Sequence, residues 1–424
     1  MNYTRTEKRL MEAMAETDVI DAHEHLPPES IRTDSPQDVF TLLSTYINGD
    51  LFSAGMDRES FCSFPPNDKR KKYESLFDYD IPLAERWETF RPYWQRVRYG
   101  SYARAAFLAA KMVYGVDDIN DETYQLLSER IAAENTPGIY RRILCDTCRI
   151  RVALTQCYRT DVEPPLVPLM WGNDVTQFRT RDILEEASAA VGVTVRSLDD
   201  CLLLVQKQLD QWVREGIVGV KLHAKVNPPP DARAAEESLS KVIGGRELVW
   251  DGLYEPLDNF LMHHLIDMAA ERQLVVAVHA GMWGDFRHAD CKHLSTLASA
   301  HPKANFDLYH LGMPFVRDAI VVAKNWPNVF LNLCWTHIIS QVQTCSGIDE
   351  LLDQVPVNKV LGFGGDYDRP VENVVGHLHM AREDFARVFG ARIDRDVMGF
   401  DEAVEILNLW FWDNPLALYA RVSV

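Results

Sequence analysis

The chain has 424 residues, with 62 acidic side chains against 44 Lys and Arg, a formal charge of −18 and 47% hydrophobic residues. This composition excludes wholesale disorder, and the acidic balance argues against nucleic acid, which needs a basic footprint, and against an anionic membrane surface. No apolar run approaches the roughly 20 residues of a membrane span, and the 8 cysteines form no disulfide framework, so a cytoplasmic protein in a reducing compartment is expected.

The start, MNYTRTEKRLMEAMAETD, mixes both charge signs, lacks a signal-peptide core and reads as an amphipathic helix. A first strand follows over 18–23, DVIDAH, and runs into HEHLPP. Residues 1–29 therefore comprise a helix and one strand. Residues 30–140 change character. SPQDVFTLLSTYI, PLAERWETFRPYWQRVRYGSYARAAFLAAKMVYG and NDETYQLLSERIAAEN carry apolar residues at helical spacing, broken by Pro and Gly. This stretch is expected to be a helical insertion, which caps a site, buries an interface or packs only on itself.

From 141 to 424 short apolar runs alternate with amphipathic helices. The runs are RIRVALTQCY (149–158), PLVPLMWG (165–172), VGVKLHA (218–224), LVVAVHAG (274–281), FDLYHLG (306–312), VFLNLCWT (329–336) and VLGFGGD (360–366). Ser197 and Asp200 make a capping box before CLLLVQKQLDQWVREG, and Gly216 stops that helix. Further helices are expected over 256–272, 314–325, 347–354, 372–389 and 401–412. With the first strand this gives 8 buried strands, each followed by a helix or its equivalent. The pattern is that of an α/β (β/α)8 TIM barrel with a large helical insertion after strand 1. A doubly wound sheet competes, but HEHLPP is not its glycine-rich phosphate loop. Cys145 and Cys148 form a lone CxxC, read as a structural thiol pair in preference to a zinc or redox motif.

A barrel places its active site where the strands end. Here those ends carry His23-Glu24-His25, Lys221, His223, His279, His310 and Asp366. Residues i and i+2 of a strand point the same way, so His23 and His25 can both face the mouth and hold one cation. Imidazole and carboxylate suit zinc first, or manganese, iron or cobalt. HEHLP is not the helical zinc-protease motif, whose second His comes four residues after the first. An HxH, a lone His or a GGD turn is weak alone; the set in barrel order is what points to a metal.

In this order the residues resemble the amidohydrolase superfamily. The segments YHLGMPFVRDAIVVAKNWPNVFLNLCWT and VLGFGGDYDRP are similar to its amidohydrolase-2 branch, and to the amidohydrolase-like part of glutamine-synthetase fusion proteins. The insertion after the first strand resembles that of uronate isomerases. The resemblance covers 18–30 and about 148–420. It implies metal ligands His23, His25, His279 and Asp366, with His310 polarising the substrate or joining a second metal. At the Lys221 position, binuclear relatives can hold a carboxylated lysine. A free ammonium gripping a substrate carboxylate, or a plain ion pair, are the alternatives.

The chemistry expected is attack of a metal-activated water on an amide, lactone or ester of a small, carboxylate-bearing substrate. Asp366 would carry the proton and His310 would help to stabilise the oxyanion. Arg287 and His288 are candidates to clamp a carboxylate and Trp283 to stack on it, against the reading of a simple loop on the rim. His223, Trp335 and His337 are further candidate contacts. Asp368 and Arg369 form an ion pair or face the substrate, and His263, His264, His301, His377 and His379 are expected to be structural. Competing readings are a non-oxidative decarboxylase, a sugar-acid isomerase, and a barrel without activity that serves as a binding module. A homo-oligomer is expected, without nucleic-acid or membrane partners.

Overall fold

The computed structural model describes residues 3–57, 75–248, 254–282 and 285–422. Trp283, expected to stack on a substrate, lies outside the described residues. Among the described residues nine parallel strands appear in order: β1 Val19–Glu24, β2 Ile150–Thr155, β3 Leu166–Pro168, β4 Met170–Trp171, β5 Gly219–His223, β6 Val275–His279, β7 Phe306–Leu308, β8 Val329–Asn332 and β9 Val360–Leu361. The expected third strand is β3 and β4, interrupted at Leu169. There the chain changes partner: Leu169 N–H donates to Thr155 O at 2.8 Å, while Pro168 O accepts from Val218 N–H at 3.2 Å.

The ring closes between the last strand and the first. Ala22 N–H donates to Phe363 O at 3.0 Å, Asp366 N–H to His23 O at 2.8 Å, and His25 N–H to Tyr367 O at 3.0 Å. This is the expected (β/α)8 barrel. Alternation along the strands sorts the side chains. Ile20, Ala22, Val152, Leu154, Leu169 and Ala277 fill the interior with Leu418 and Tyr419 from the C-terminal segment. Ala153, Val220, Leu222, Val276 and Val278 face the helices.

The capping box of Ser197 and Asp200 opens the helix Leu198–Arg214 as its sequence requires. One helix begins earlier than expected, at Gln341–Gln354 rather than 347. Ser340 caps it, accepting from Gln343 N–H. Gly347, which reads as a break, sits inside the helix because a Cβ there would lie 2.8 Å from Leu311 Cδ2.

The insertion contains helices Glu29–Thr33, Val39–Leu42, Ile47–Ser53, Leu83–Val97, Ser101–Tyr114 and Tyr124–Glu134. It has its own core, built on Phe40, Trp87, Phe90 and Trp94. The Trp87 and Tyr124 rings stack at 4.7 Å and 3°. Helix Ser101–Tyr114 lies directly on helix Asn373–Ile393, the helix after β9. At their crossing a Cβ on Gly376 would come within 2.1 Å of Ala105 O, so only glycine permits the approach.

A buried ion pair fixes this docking. Arg32 Nη2 lies 2.6 Å from Glu372 Oε1 and Nη1 3.1 Å from Oε2, and Tyr114 OH donates to the same carboxylate at 2.6 Å. Burial would push the Glu372 carboxyl up, but the facing Arg32 holds it below its ordinary value. Removing one partner leaves a buried charge uncompensated. Glu372→Leu is therefore expected to lower the unfolding free energy by about 3–5 kcal/mol in a denaturant titration. The double variant Arg32→Met/Glu372→Leu should regain most of the loss.

Glu383, on the same helix, gathers Tyr3 OH, Arg104 Nη2 at 2.7 Å and His379 Nε2 at 3.5 Å. Burial raises its pKa, but these partners more than offset that and bring it to about 2 from an ordinary 4.5. A depressed carboxyl contributes stability above its unfolded value and loses it as pH falls through the folded one. The difference in melting temperature between wild type and Glu383→Gln should be full at pH 7 and shrink steadily from pH 4.5 down to about 2.

Candidate metal centre

The site begins with an irregularity in β1. Asp21 pairs with Ala153 and Glu24 with Thr155, so three steps along β1 span two along β2. Such a bulge re-aims the side chains beyond it. Ile20 and Ala22 face the interior, and after the bulge His23 and His25 do so too. The intervening Glu24 turns away, and its Oε2 accepts from Tyr367 N–H at 2.7 Å. Asp21 accepts from Gly365 N–H at 3.2 Å and from His23 N–H at 3.2 Å. The two buried carboxyls thus hold the Gly365–Asp366–Tyr367 turn against β1. Asp21 is raised to about 7 by burial, and Glu24 well above its ordinary value by burial and by Asp21, so a shared proton suits the pair.

That turn delivers Asp366 to the histidines. His23 Nε2 and His25 Nε2 each lie 3.2 Å from Asp366 Oδ1. One donor atom from each of the three residues falls within 4.8 Å of the others. His25 Nδ1 lies 2.8 Å from Gln156 O, which fixes the ring as an Nδ1–H donor and leaves the Nε2 lone pair free. Burial, reinforced by the Lys221 charge, holds His23 well below its ordinary pKa, so it is neutral. Burial would raise Asp366, but His23, His25 and His310 hold it well below the usual carboxylate range. A neutral His23, the His25 ring held through its Nδ1 and an ionised carboxylate fit a divalent metal.

The other expected residues divide. Lys221 is buried, with Nζ 3.3 Å from His23 Nε2 and 3.7 Å above the Tyr309 ring. Burial lowers its pKa to about 8 against the pull of Asp366. His310 Nδ1 is 3.7 Å from Asp366 Oδ2. His279 is not brought into the triad. Its Nε2 lies 2.6 Å from Met282 O and its Nδ1 3.0 Å from His310 Nε2. His310 Nδ1 also lies 3.2 Å from Cys334 O and 3.4 Å from Cys334 Sγ, and His279 Nε2–H donates to Met282 O. His223 stacks on Trp171 at 4.8 Å and meets His279 edge-on at 5.3 Å.

Three expectations need correction. His337 is fully buried, with Nδ1 3.0 Å from Asp384 Oδ2 and Nε2 3.3 Å from Gly362 O. It packs beneath helix Asn373–Ile393 and does not line the mouth. Arg287 is 83% exposed and paired with Asp285, two residues away, which also attracts His288 Nε2 at 3.6 Å. Among the described residues of this loop, Arg287 and His288 both turn toward Asp285. Asp368 and Arg369 both engage the insertion: Asp368 accepts from Thr45 Oγ1 at 2.5 Å, and the Arg369 guanidinium lies 4.2 Å from the Phe77 ring centre.

Sequence reasoning missed Tyr46 and Tyr102. The Tyr46 hydroxyl donates to Asp366 O. Its ring lies 4.5 Å from that of Trp335, which also meets Tyr102 at 6.3 Å and His310 at 5.1 Å. Trp335 is fully buried under this aromatic lid. His310, Trp335 and Asp366 all take left-handed backbone, with φ of 62°, 64° and 64°. For non-glycine residues that conformation persists only where the surroundings over-determine it, and it gathers at functional sites.

The fold and this centre define a barrel enzyme of the metal-dependent kind. An amidohydrolase family model matches residues 170–421, and the chain belongs to that family. No curated protein matches. Among solved structures, a uronate isomerase from Thermotoga maritima is similar with a TM-score of 0.78 at 16% identity, over 98% of this chain and 97% of that one. A glucuronate isomerase from Caulobacter crescentus gives 0.80 at 16% identity, over 99% and 94%. A uronate isomerase from Bacillus halodurans gives 0.72 at 13%, over 100% and 98%. At these identities the likeness is one of fold, and it spans the insertion.

Elemental analysis of purified protein should find about one divalent metal per chain. Asp366→Asn and His25→Ala should each bring the content well below one equivalent. His337→Ala should keep the metal and lower the melting temperature.

Proposed function

We propose that the chain is a divalent-metal isomerase of a small sugar acid, interconverting its aldose and ketose forms, with zinc as the first choice of metal and manganese, iron or cobalt as alternatives. The observation that carries this reading is the insertion. It runs between β1 and β2, sets Tyr46 against Asp366 and Tyr102 over Trp335, and is part of the full-length likeness to uronate and glucuronate isomerases. When bound, the metal polarises a carbonyl or hydroxyl oxygen. His23, His25 and Asp366 hold it, with His279 as a further candidate. Burial raises the Tyr46 phenol well above its ordinary pKa, so it stays neutral, and its proton goes to Asp366 O, which makes Tyr46 a positioning residue for the turn that carries the carboxylate. His310 and Lys221 flank the triad as proton-bearing groups. His223 is proposed as a rim contact. The aromatic lid excludes water, which suits proton transfer between neighbouring carbons. The protein is proposed to work as a homo-oligomer in the cytoplasm.

Hydrolysis of an amide, lactone or ester is the second reading. The family match favours it, together with an ionised Asp366 beside the metal position, suited to carry a proton.

The test incubates metal-loaded protein with D-glucuronate and D-galacturonate. A keto sugar of unchanged mass, lost with a chelator and restored by metal, is the expected result. Tyr46→Phe should keep its metal and lower kcat by about 10²-fold, because the Asp366 turn loses its anchor. Turnover of lactones or amides without any uronate conversion would replace the isomerase with the hydrolase, and carbon dioxide release would point to a lyase.

A further inference from the structure

Gln156 follows the last residue of β2. Val152 and Leu154 point into the barrel, while the hydroxyl of Thr155 turns outward and donates to Leu26 O at 2.7 Å. Alternation carries the Gln156 side chain into the mouth. Its main chain is tied on both sides: the N–H donates to Glu24 O at 2.8 Å, and the carbonyl accepts from His25 Nδ1 at 2.8 Å. The carboxamide is therefore held one side-chain length from the ring of His25.

The residue is 1% exposed, and neither Oε1 nor Nε2 has a hydrogen-bond partner among the described residues. Other buried amides among the described residues keep at least one end bonded, as Asn227, Asn259 and Asn373 do through Nδ2. Asn332 Nδ2 donates to Asp307 at 2.9 Å and its Oδ1 accepts from Cys334 N–H at 2.9 Å. Asn328 Nδ2 reaches the carbonyls of Ala298, His301 and Ala304. A buried amide with both ends unmade weakens the fold, and leucine or methionine would serve packing better. The polar group therefore has another use.

We infer that Gln156 is a specificity-determining residue whose carboxamide takes a hydroxyl group of the ligand held beside His25. The chemistry selects a hydroxyl. A carboxamide offers a donor and an acceptor, and a hydroxyl answers both, whereas a carboxylate would set its charge against Oε1. Access lies on the side of His25, whose side chain keeps 28% of its surface open. The inference deepens the proposed function and rests on its placing of the substrate at this mouth.

The experiment uses metal-loaded protein and two six-carbon diacids, hydroxylated D-glucarate and unhydroxylated adipate, measured by calorimetry. Wild type should bind D-glucarate about tenfold or more tighter than adipate. Gln156→Met should lose about tenfold on D-glucarate and change by no more than about twofold on adipate. Its melting temperature should rise by about 1–3 °C, because the unmade hydrogen bonds are gone. Gln156→Leu serves as the second variant. A lower melting temperature in both variants, unchanged D-glucarate affinity, or no binding of D-glucarate by wild type overturns the inference. If uronates are not isomerised but the Gln156-dependent preference holds, the isomerase reading fails and this one stands. If uronates are isomerised with unaltered KM by Gln156→Met, this one fails alone.

Discussion

Everything at the mouth depends on how β1 meets the chain after β9. Asp21 and Glu24 take the amide hydrogens of Gly365 and Tyr367 from behind, and Asp366 N–H closes onto His23 O. These bonds complete the barrel and hold the Asp366 carboxylate between two histidines at once. Gly365 shows how tight the seam is. A Cβ there would stand 2.0 Å from Glu24 Oε1, so no other residue fits without moving the acid. The geometry that closes the fold is the geometry that assembles the candidate metal ligands, and neither can be altered alone.

Around that seam the protein organises its charge by burial. His23 and His310 are neutral, Asp366 is ionised, and the Lys221 ammonium is made less basic over the face of Tyr309. The His310–His279 hydrogen bond extends the site along β6 and β7 without adding charge. A low-dielectric centre with one anionic ligand is the environment in which a divalent cation compensates most. The net charge of −18 would oppose an anionic ligand at a distance.

The insertion supplies what the barrel lacks. It folds on its own aromatic core, docks through Arg32, Glu372 and Gly376, and brings two tyrosines over the strand ends. The sequence showed that such a segment exists, since its helical spacing differs from the alternating runs that follow. It could not show which side chains reach the site. Tyr46 lies in a stretch, TLLSTYING, that carries no motif, and its partner is a main-chain carbonyl 320 positions away. His337 illustrates the converse. Next to Trp335 in the sequence, it looked like a site residue, but the turn after β8 sends Trp335 under the lid and His337 beneath a helix.

By itself the sequence determined the alternation of buried runs and helices, hence the barrel, and the HxH pair with a later Asp, hence a candidate metal centre. Both follow from local periodicity, because i and i+2 share a face whatever the rest of the chain does. Only the tertiary structure decided the partners. It brought His310 to His279, left the Gln156 carboxamide unpaired, and drew Tyr46 in from the insertion. Such pairings are set by which strand ends close into one ring. Ring closure joins residues hundreds of positions apart, which no local pattern records.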